Sequence, residues 1–300
     1  MTLALIIGLA LDISMFLIVF AIGLNATLKA FNYVFRHPGL LIRSLVSMNV
    51  VMPAAAIVVA LTFDLDRAIK IALVALSLSP VPPLLPSKQT KAGGSGDFAI
   101  GLLSAMAIAA IGIIPISVAL IGQIFDLDIH MPAGRVAAII AETVLAPLGA
   151  GIAVQYFAPE LAKKISLPLS SAGTVLLVVA VLPILVKSLP GFWALVGNGV
   201  VISLILFSLV GLAVGHFLGG PDPDNRTVLA LATATRHPAI AMAIAAVNFP
   251  DQKAVGFVLI WYLIIGALVS APYVKWRTKL HAAAAPLPQG APTVPRSWGR

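Results

Sequence analysis

The strings SPVPPLLPS, at residues 79–87, and TATRHP, at residues 233–238, each interrupt a long apolar run. Proline lacks a backbone donor and clashes with the preceding turn, so it breaks a helix. In hydrocarbon, a break is tolerated only where it lines a cavity or is buried in protein. Two breaks at corresponding places in the two halves of a chain indicate the binding site of a secondary transporter. The prolines predicted to break these helices are Pro80, Pro82, Pro83, Pro86 and Pro238.

The composition is that of a polytopic membrane protein. Of the 300 residues, 60% are hydrophobic and 10% are charged, whereas soluble domains have about 45–50% and about 25%. Cysteine is absent, which excludes disulfides, thiol catalysis and thiolate metal sites. The net charge of +8 falls mostly in short loops, where Lys and Arg set topology rather than bind nucleic acid. We therefore expect the lipid bilayer as a partner, and no cofactor, metal or nucleic acid.

Apolar runs of spanning length predict nine transmembrane helices. They lie at about 3–24, 39–63, 67–86, 96–125, 133–157, 166–188, 197–219, 225–248 and 251–274. Nine crossings place thirteen Lys and Arg residues on one side and five on the other. This bias predicts an inner-membrane protein with its N-terminus outside and its C-terminus in the cytoplasm.

The positions of the breaks predict two inverted repeats inside one transporter domain at 1–280. Repeat one covers about 3–125, a linking helix covers about 133–157, and repeat two covers about 166–274. The repeats begin on opposite sides of the membrane, an arrangement that exposes one central site to either side in turn. The Ala- and Pro-rich residues 281–300 are expected to form a disordered cytoplasmic tail.

Five short motifs follow one another in an order and spacing typical of a known family. They are FAIGLN at 20–25, NVVMP at 49–53, SP at 79–80, GDFAI at 96–100 and HPAIAMAIA at 237–245. With these motifs the chain resembles the bile acid:sodium symporter family over about 3–275. The resemblance implies a core domain whose two broken helices cross near the bilayer centre, with a panel of the remaining helices beside it. Many members have ten helices, and this chain resembles those that lack the first.

The second break departs from the family at the positions of the sodium ligands. Alignment on its Ile-Ala pair places Ala232 where sodium-coupled members have a Glu, and Arg236 and His237 where they have a Gln-Asn pair. Asn49, which replaces a Gln, still resembles a sodium ligand. A carboxylate is thus lost and a guanidinium gained, and a fixed cation repels a bound cation in low dielectric.

The first break departs from the family as well. Counting forward from its first proline puts Pro86 at the position of the family's Asn ligand, whereas counting back from Gly96 puts Lys88 there. The departures together imply that Arg236, alone or with Lys88, replaces the sodium ions.

Ionisable residues inside the membrane are candidates for the site because they are costly there. Arg236 either binds an anionic substrate group or forms an ion pair with Glu142 or Asp12. His237 either carries protons or caps free carbonyls at the break. Glu142 either pairs with a core cation or lines the substrate path. Lys88 either joins the site or is an ordinary cytoplasmic loop charge.

Hydroxyl groups flank both breaks. Those of Thr233, Thr235, Ser79 and Ser87 either bind substrate or satisfy the backbone groups that the breaks free. Four aromatic residues are interpreted as core or interfacial aromatics rather than as a substrate cage: Trp193, Trp261, Tyr262 and Tyr273.

These features favour a secondary active transporter that moves a small organic anion by alternating access, independently of sodium. The alternative is a sodium-coupled symporter of organic anions with non-standard ligands, and proton coupling is also open. An intramembrane aspartyl protease is a remote alternative, because residues 94–97 fit the pattern Gly-x-Gly-Asp. Such an enzyme needs a second Asp that shares a proton with the first, and the other membrane Asp, Asp12, lies in a different context. We therefore expect no enzymatic activity.

Overall fold

The computed structural model describes residues 3–193 and 197–284, and every regular element within these ranges is helical. The α-helices are α1 (Leu3–Leu24), α2 (Leu28–Phe31), α3 (Tyr33–Arg36), α4 (Pro38–Val46), α5 (Met52–Thr62), α6 (Arg67–Leu78), α7 (Leu85–Lys91), α8 (Gly96–Phe125), α9 (Ala133–Ile140), α10 (Ala146–Phe157), α11 (Pro159–Trp193), α12 (Val200–Leu218), α13 (Pro223–Ala234), α14 (Pro238–Asn248) and α15 (Val255–Ala284). Two π-helical segments, Ser47–Val51 and Ala141–Leu145, join α4 to α5 and α9 to α10.

Within the described ranges, eight helical segments are long and apolar enough to cross a membrane. The segment 67–91 is not among them, because its break divides it into α6, of 12 residues, and α7, of 7 residues. Counted as one interrupted crossing, it brings the described part of the chain to the nine crossings predicted. The all-α, polytopic fold class is confirmed.

Two predicted spans have wrong boundaries. The sixth span, predicted at 166–188, is the longer α11, and the last helix continues to Ala284 rather than ending at 274. The apolar run marks only the part of a helix that lies in hydrocarbon, whereas good helix formers such as Ala and Lys extend it into water. Residues 281–284 are therefore helical, and the rest of the predicted tail lies outside the described residues.

Helices α1, α10 and α11, with α9 and its π segment, form one layer, which we call the panel. In it α1 meets α10 at two glycines, where a Cβ atom on Gly23 would lie 2.9 Å from Gly151 Cα. Helix α1 meets α11 at Gly173, where a Cβ atom would lie 3.0 Å from Leu17 Cβ. Small residues let membrane helices approach closely and pack by van der Waals contact.

The other spanning helices form the core, in which α12 packs along α13. Glycines at positions 211, 215 and 219, spaced by four, place one face of α12 directly on the α13 backbone. A Cβ atom on Gly211 would lie 2.6 Å from Ala234 Cα, the last residue before the second break. This spacing, visible in the sequence, is the small-xxx-small pattern of membrane helix pairs. It holds the end of α13 in place.

The two breaks cross at a direct backbone contact. The backbone N–H of His237 donates to the carbonyl of Pro80 at 2.9 Å. Helices α6 and α13 therefore end, and α14 begins, around one point of the core. This confirms the crossed broken helices, and the layer packed beside them confirms the division into core and panel.

Candidate functional site

Pro53 creates an unsatisfied carbonyl in the second membrane crossing. The N–H of Met52 donates to the carbonyl of Ser47, five residues back, which makes the segment π-helical. The carbonyl of Met48 would then need the N–H of residue 53, which proline lacks. A carbonyl facing the core interior is thus left for a donor from elsewhere.

Arg236 supplies that donor and two more. Its side chain is fully buried, at 0% exposure. Nη2 donates to the carbonyls of Met48, at 2.9 Å, and of Ser77. Nε donates to the carbonyl of Leu76 at 3.1 Å, whose helical partner four residues on would be Pro80. The guanidinium therefore lies at the negative C-terminal end of α6, where backbone oxygens and the helix dipole stabilise a cation.

The rest of the guanidinium is not paired. Nη1 has no hydrogen-bond partner among the described residues. No described Asp or Glu forms an ion pair with Arg236, so the alternative of a pair with Glu142 or Asp12 is not what the structure shows. The positive charge is held by backbone carbonyls, and the two N–H groups of Nη1 have no described acceptor.

The Tyr262 hydroxyl bridges two backbone groups at the second break. It accepts from the backbone N–H of Arg236 at 2.5 Å and donates to the carbonyl of Ala234 at 3.0 Å. That carbonyl lacks its helical donor because the residue four positions on is Pro238. Tyr262 is a core aromatic, as interpreted, but its bridging role carries no sequence signal, because it lies 28 residues from Ala234.

A cavity of about 780 Å³ lies between panel and core beside the crossing. Its core wall includes Pro82, Pro83, Lys88, Thr235, Arg236, His237 and Pro238. Its panel wall includes Leu11, Asp12, Met15, Phe16, Glu142, Thr143, Leu177 and Val181. The size is within the usual range for sites that bind small organic molecules.

His237 and Lys88 both face this cavity. His237 is 3% exposed, and neither of its ring nitrogens has a partner among the described residues. The ring thus caps no described carbonyl and is free to bind a ligand or a proton. Lys88 is half-buried, and its Nζ donates to Ser270 Oγ at 2.6 Å. It lies within the protein beside the crossing rather than in an open loop.

A family model described as the Sodium Bile acid symporter family matches residues 12–190. That range is more than half of the 300 residues. The chain belongs to the sodium bile acid symporter family. The protein is therefore a multi-pass membrane transporter. No curated protein matches the chain significantly.

The match includes the first broken helix and ends before the second. The residues of the second break that correspond to the family's sodium ligands therefore lie outside the matched range. Ala232, at the position of the family's Glu, is fully buried, and its side chain has no oxygen to bind a cation. Asn49 turns its Nδ2 towards Met106 Sδ, 3.9 Å away, and does not line the cavity beside Arg236.

Two other predicted site residues, Ser79 and Thr233, donate their hydroxyl groups to backbone carbonyls in the described structure. Ser79 Oγ donates to the carbonyl of Leu76 at 2.8 Å. Thr233 Oγ1 donates to the carbonyl of Leu229 at 2.8 Å and lies 2.5 Å from Ser47 Oγ. Of the four hydroxyl residues considered, Thr235 lines the cavity.

Ser87 and Pro86 line a second cavity of about 390 Å³, between α1 and the start of α8. Asp97, of the protease-like motif, lines this second cavity, whereas Asp12 lines the first. Ser95 Oγ accepts from the N–H of Phe98 at 3.3 Å and caps α8. The motif is therefore a helix start, and the pair of aspartates that a protease needs is not brought together.

Proposed function

We propose that the chain is a secondary transporter that carries a small organic anion by alternating access and does not need sodium. In this proposal the Arg236 guanidinium takes the place of a coupling cation. The panel and the core move against each other, and the cavity between them holds the substrate.

The observation that carries the proposal is the oxygen environment of Arg236. A hard cation such as sodium is bound in proteins by carbonyl oxygens at helix ends. Here three carbonyls, from Met48, Leu76 and Ser77, accept from the guanidinium. A sodium ion about 4 Å from that charge would be repelled by about 4 kcal/mol at an effective dielectric constant of 20. The built-in cation thus competes with sodium for this place.

The Arg236 guanidinium also favours an anionic substrate over a neutral or cationic one. Nη1 carries two N–H groups without a described partner, and Arg236 lines the cavity. The N-terminus of α14, which begins at Pro238, faces the same cavity, and the positive end of a helix dipole attracts anions. Both features favour a carboxylate or another small anionic group beside the crossing.

The test is uptake of a panel of small organic acids into proteoliposomes, with a sodium, potassium or proton gradient imposed. Arg236→Gln is measured beside the wild type, with Arg135→Gln as the control. Arg135 is exposed at the start of α9, so its loss removes one positive charge away from the site.

Uptake by the wild type should change less than twofold when sodium replaces potassium. Arg236→Gln should lower it by at least tenfold, while Arg135→Gln stays near wild type. A strong stimulation by sodium would contradict the proposal and favour the alternative of a sodium-coupled symporter with non-standard ligands.

We also propose His237 as the candidate group for proton coupling. Its buried ring lines the cavity with both nitrogens unpaired among the described residues. If it carries the proton, His237→Gln should abolish the stimulation of uptake by an inward proton gradient but leave substrate exchange at equal pH. Stimulation that persists in the variant would exclude this role.

A further inference from the structure

The cavity beside the crossing carries opposite charges on its two walls. Asp12, from α1, and Glu142, from the π segment of the fifth crossing, belong to the panel wall. Lys88 and Arg236 belong to the core wall. No ion pair joins these four side chains in the described structure. The two carboxylates are exposed and Lys88 is half-buried, whereas Arg236 is fully buried in the core wall. The described side chains thus leave both carboxylates without a direct ion pair.

Asp12 and Glu142 are exposed residues within two apolar segments long enough to cross a membrane. The panel wall around Asp12 and Glu142 is otherwise mostly apolar, with Leu11, Met15 and Phe16 among its members. Ionisable groups in such surroundings mark a substrate or ion path. Neither carboxylate forms an ion pair with a described residue, so both are available to a ligand in the cavity.

The charge balance constrains what the cavity can accept. A substrate with only a negative group brings surplus negative charge towards both carboxylates. At an effective dielectric constant of 20, each carboxylate about 8 Å from that group opposes it by about 2 kcal/mol. A substrate that also carries a positive group adds no net charge to the cavity. Its negative group can face the cations of the core wall, and its positive group can face the carboxylates of the panel wall.

We propose that the transported molecule is a zwitterion with an apolar body, such as an amino acid or a related amino-carboxylate. Its carboxylate binds the Nη1 side of Arg236, and its ammonium group binds Asp12 and Glu142. This inference rests on the proposed function, in which Arg236 receives the anionic group, and it narrows the substrate from any small organic anion to one that also carries a positive group.

A second observation, on the core wall, also indicates a bound ligand. Arg236 is fully buried, yet its Nη1 has no described partner, and His237 beside it has two unpaired ring nitrogens. Buried donors without an acceptor are rare in native proteins, and a bound ligand or water commonly satisfies them. Donors on one wall and carboxylates on the other define a two-point site.

The test compares three probes with the same apolar body: L-phenylalanine, N-acetyl-L-phenylalanine and L-phenylalaninamide. The first is a zwitterion, the second has only the negative group, and the third has only the positive group. A second set, 6-aminohexanoate and hexanoate, changes the distance between the charges. Affinity is measured on the purified full chain by thermal shift and by uptake into proteoliposomes.

For the set whose charge spacing fits, the zwitterion should bind at least tenfold tighter than its single-charge analogues. The double variant Asp12→Asn, Glu142→Gln should reduce that preference to less than threefold, by weakening the zwitterion and strengthening the anion. Glu160→Gln is the matched control, because this carboxylate is exposed at the start of α11 and pairs with Lys163 at 3.0 Å. It should keep the full preference.

The possible failures are distinct. If the wild type binds the N-acetyl acid or hexanoate better than the zwitterions, this inference is overturned and the proposed anion transport stands. If the double variant loses uptake of zwitterions and anions alike, the carboxylates serve coupling rather than recognition, and the inference is again overturned. If no acid binds at all, the proposed function falls with it. The wild-type comparison alone decides the matter should the double variant fail to fold.

Discussion

The two proline breaks meet at one point, but different chemistry stabilises each of them. At the first break, the carbonyls of Leu76 and Ser77 accept from the charged guanidinium of Arg236. At the second, the carbonyl of Ala234 accepts from the neutral hydroxyl of Tyr262. Each break contains a carbonyl whose helical donor is removed by proline. The Leu76 carbonyl also accepts from the N–H and Oγ of Ser79, and the donor from elsewhere in the chain is charged at the first break and neutral at the second. Corresponding positions in inverted repeats therefore do not imply equivalent sites.

Arg236→Met should produce the largest effect, because it removes the charged donor of the first break. Three buried carbonyls, those of Met48, Leu76 and Ser77, would lose a hydrogen bond to a charged group. We expect the free energy of unfolding in mixed micelles to fall by about 3–5 kcal/mol. Arg135→Met, at an exposed position, is the control. A loss below about 1 kcal/mol would show that water can replace the guanidinium. The first break would then not depend on a charged donor, and the contrast with the second break would fail.

Gly211→Ala should have the next largest effect, because it acts on the second break through its packing. The new Cβ atom would lie 2.6 Å from Ala234 Cα, so backbone must move. We expect a destabilisation of about 2 kcal/mol and a loss of uptake, measured by thermal unfolding and in proteoliposomes. Gly8→Ala, where nothing lies within 4 Å, should instead be neutral or slightly stabilising. Equal effects at both glycines would refute the packing argument.

Tyr262→Phe removes the neutral donor of the second break and keeps the ring. The Ala234 carbonyl and the Arg236 N–H would lose their partner, at an expected cost of about 1–2 kcal/mol in unfolding free energy. Tyr156→Phe, at a residue that is 68% exposed, serves as the control. This loss should be smaller than that for Arg236→Met, and the reverse order would mean that charge does not distinguish the breaks.

The smallest effect is expected for the hydroxyl pair that joins the two repeats. Ser47 Oγ and Thr233 Oγ1 lie 2.5 Å apart, one in each repeat. A double-mutant cycle with Ser47→Ala and Thr233→Val should give a coupling energy of about 0.6 kcal/mol, the average for side-chain hydrogen bonds between membrane helices. A coupling of zero would show that the hydroxyls serve only their own helices.

The charged candidates for the site could be selected from the sequence, since charge and proline are conspicuous in an apolar chain. Arg236, His237, Lys88 and Glu142 were all candidates, and the structure brings them to one cavity. The directions of the hydroxyl groups were left open, because a break changes the helical register that would fix them. Thr233 turns to the backbone, whereas Thr235, two residues later, lines the cavity.

The sequence by itself determined the membrane class, the crossings and the two breaks, because hydropathy and proline sterics act within a single segment. The tertiary structure alone decided what surrounds the charge of Arg236. The carbonyls of Leu76 and Met48 lie 160 and 188 residues away along the chain. Every residue has such a carbonyl, so no side chain marks the few that bind. The crossing of the two breaks selects them by bringing helix ends and a buried cation together.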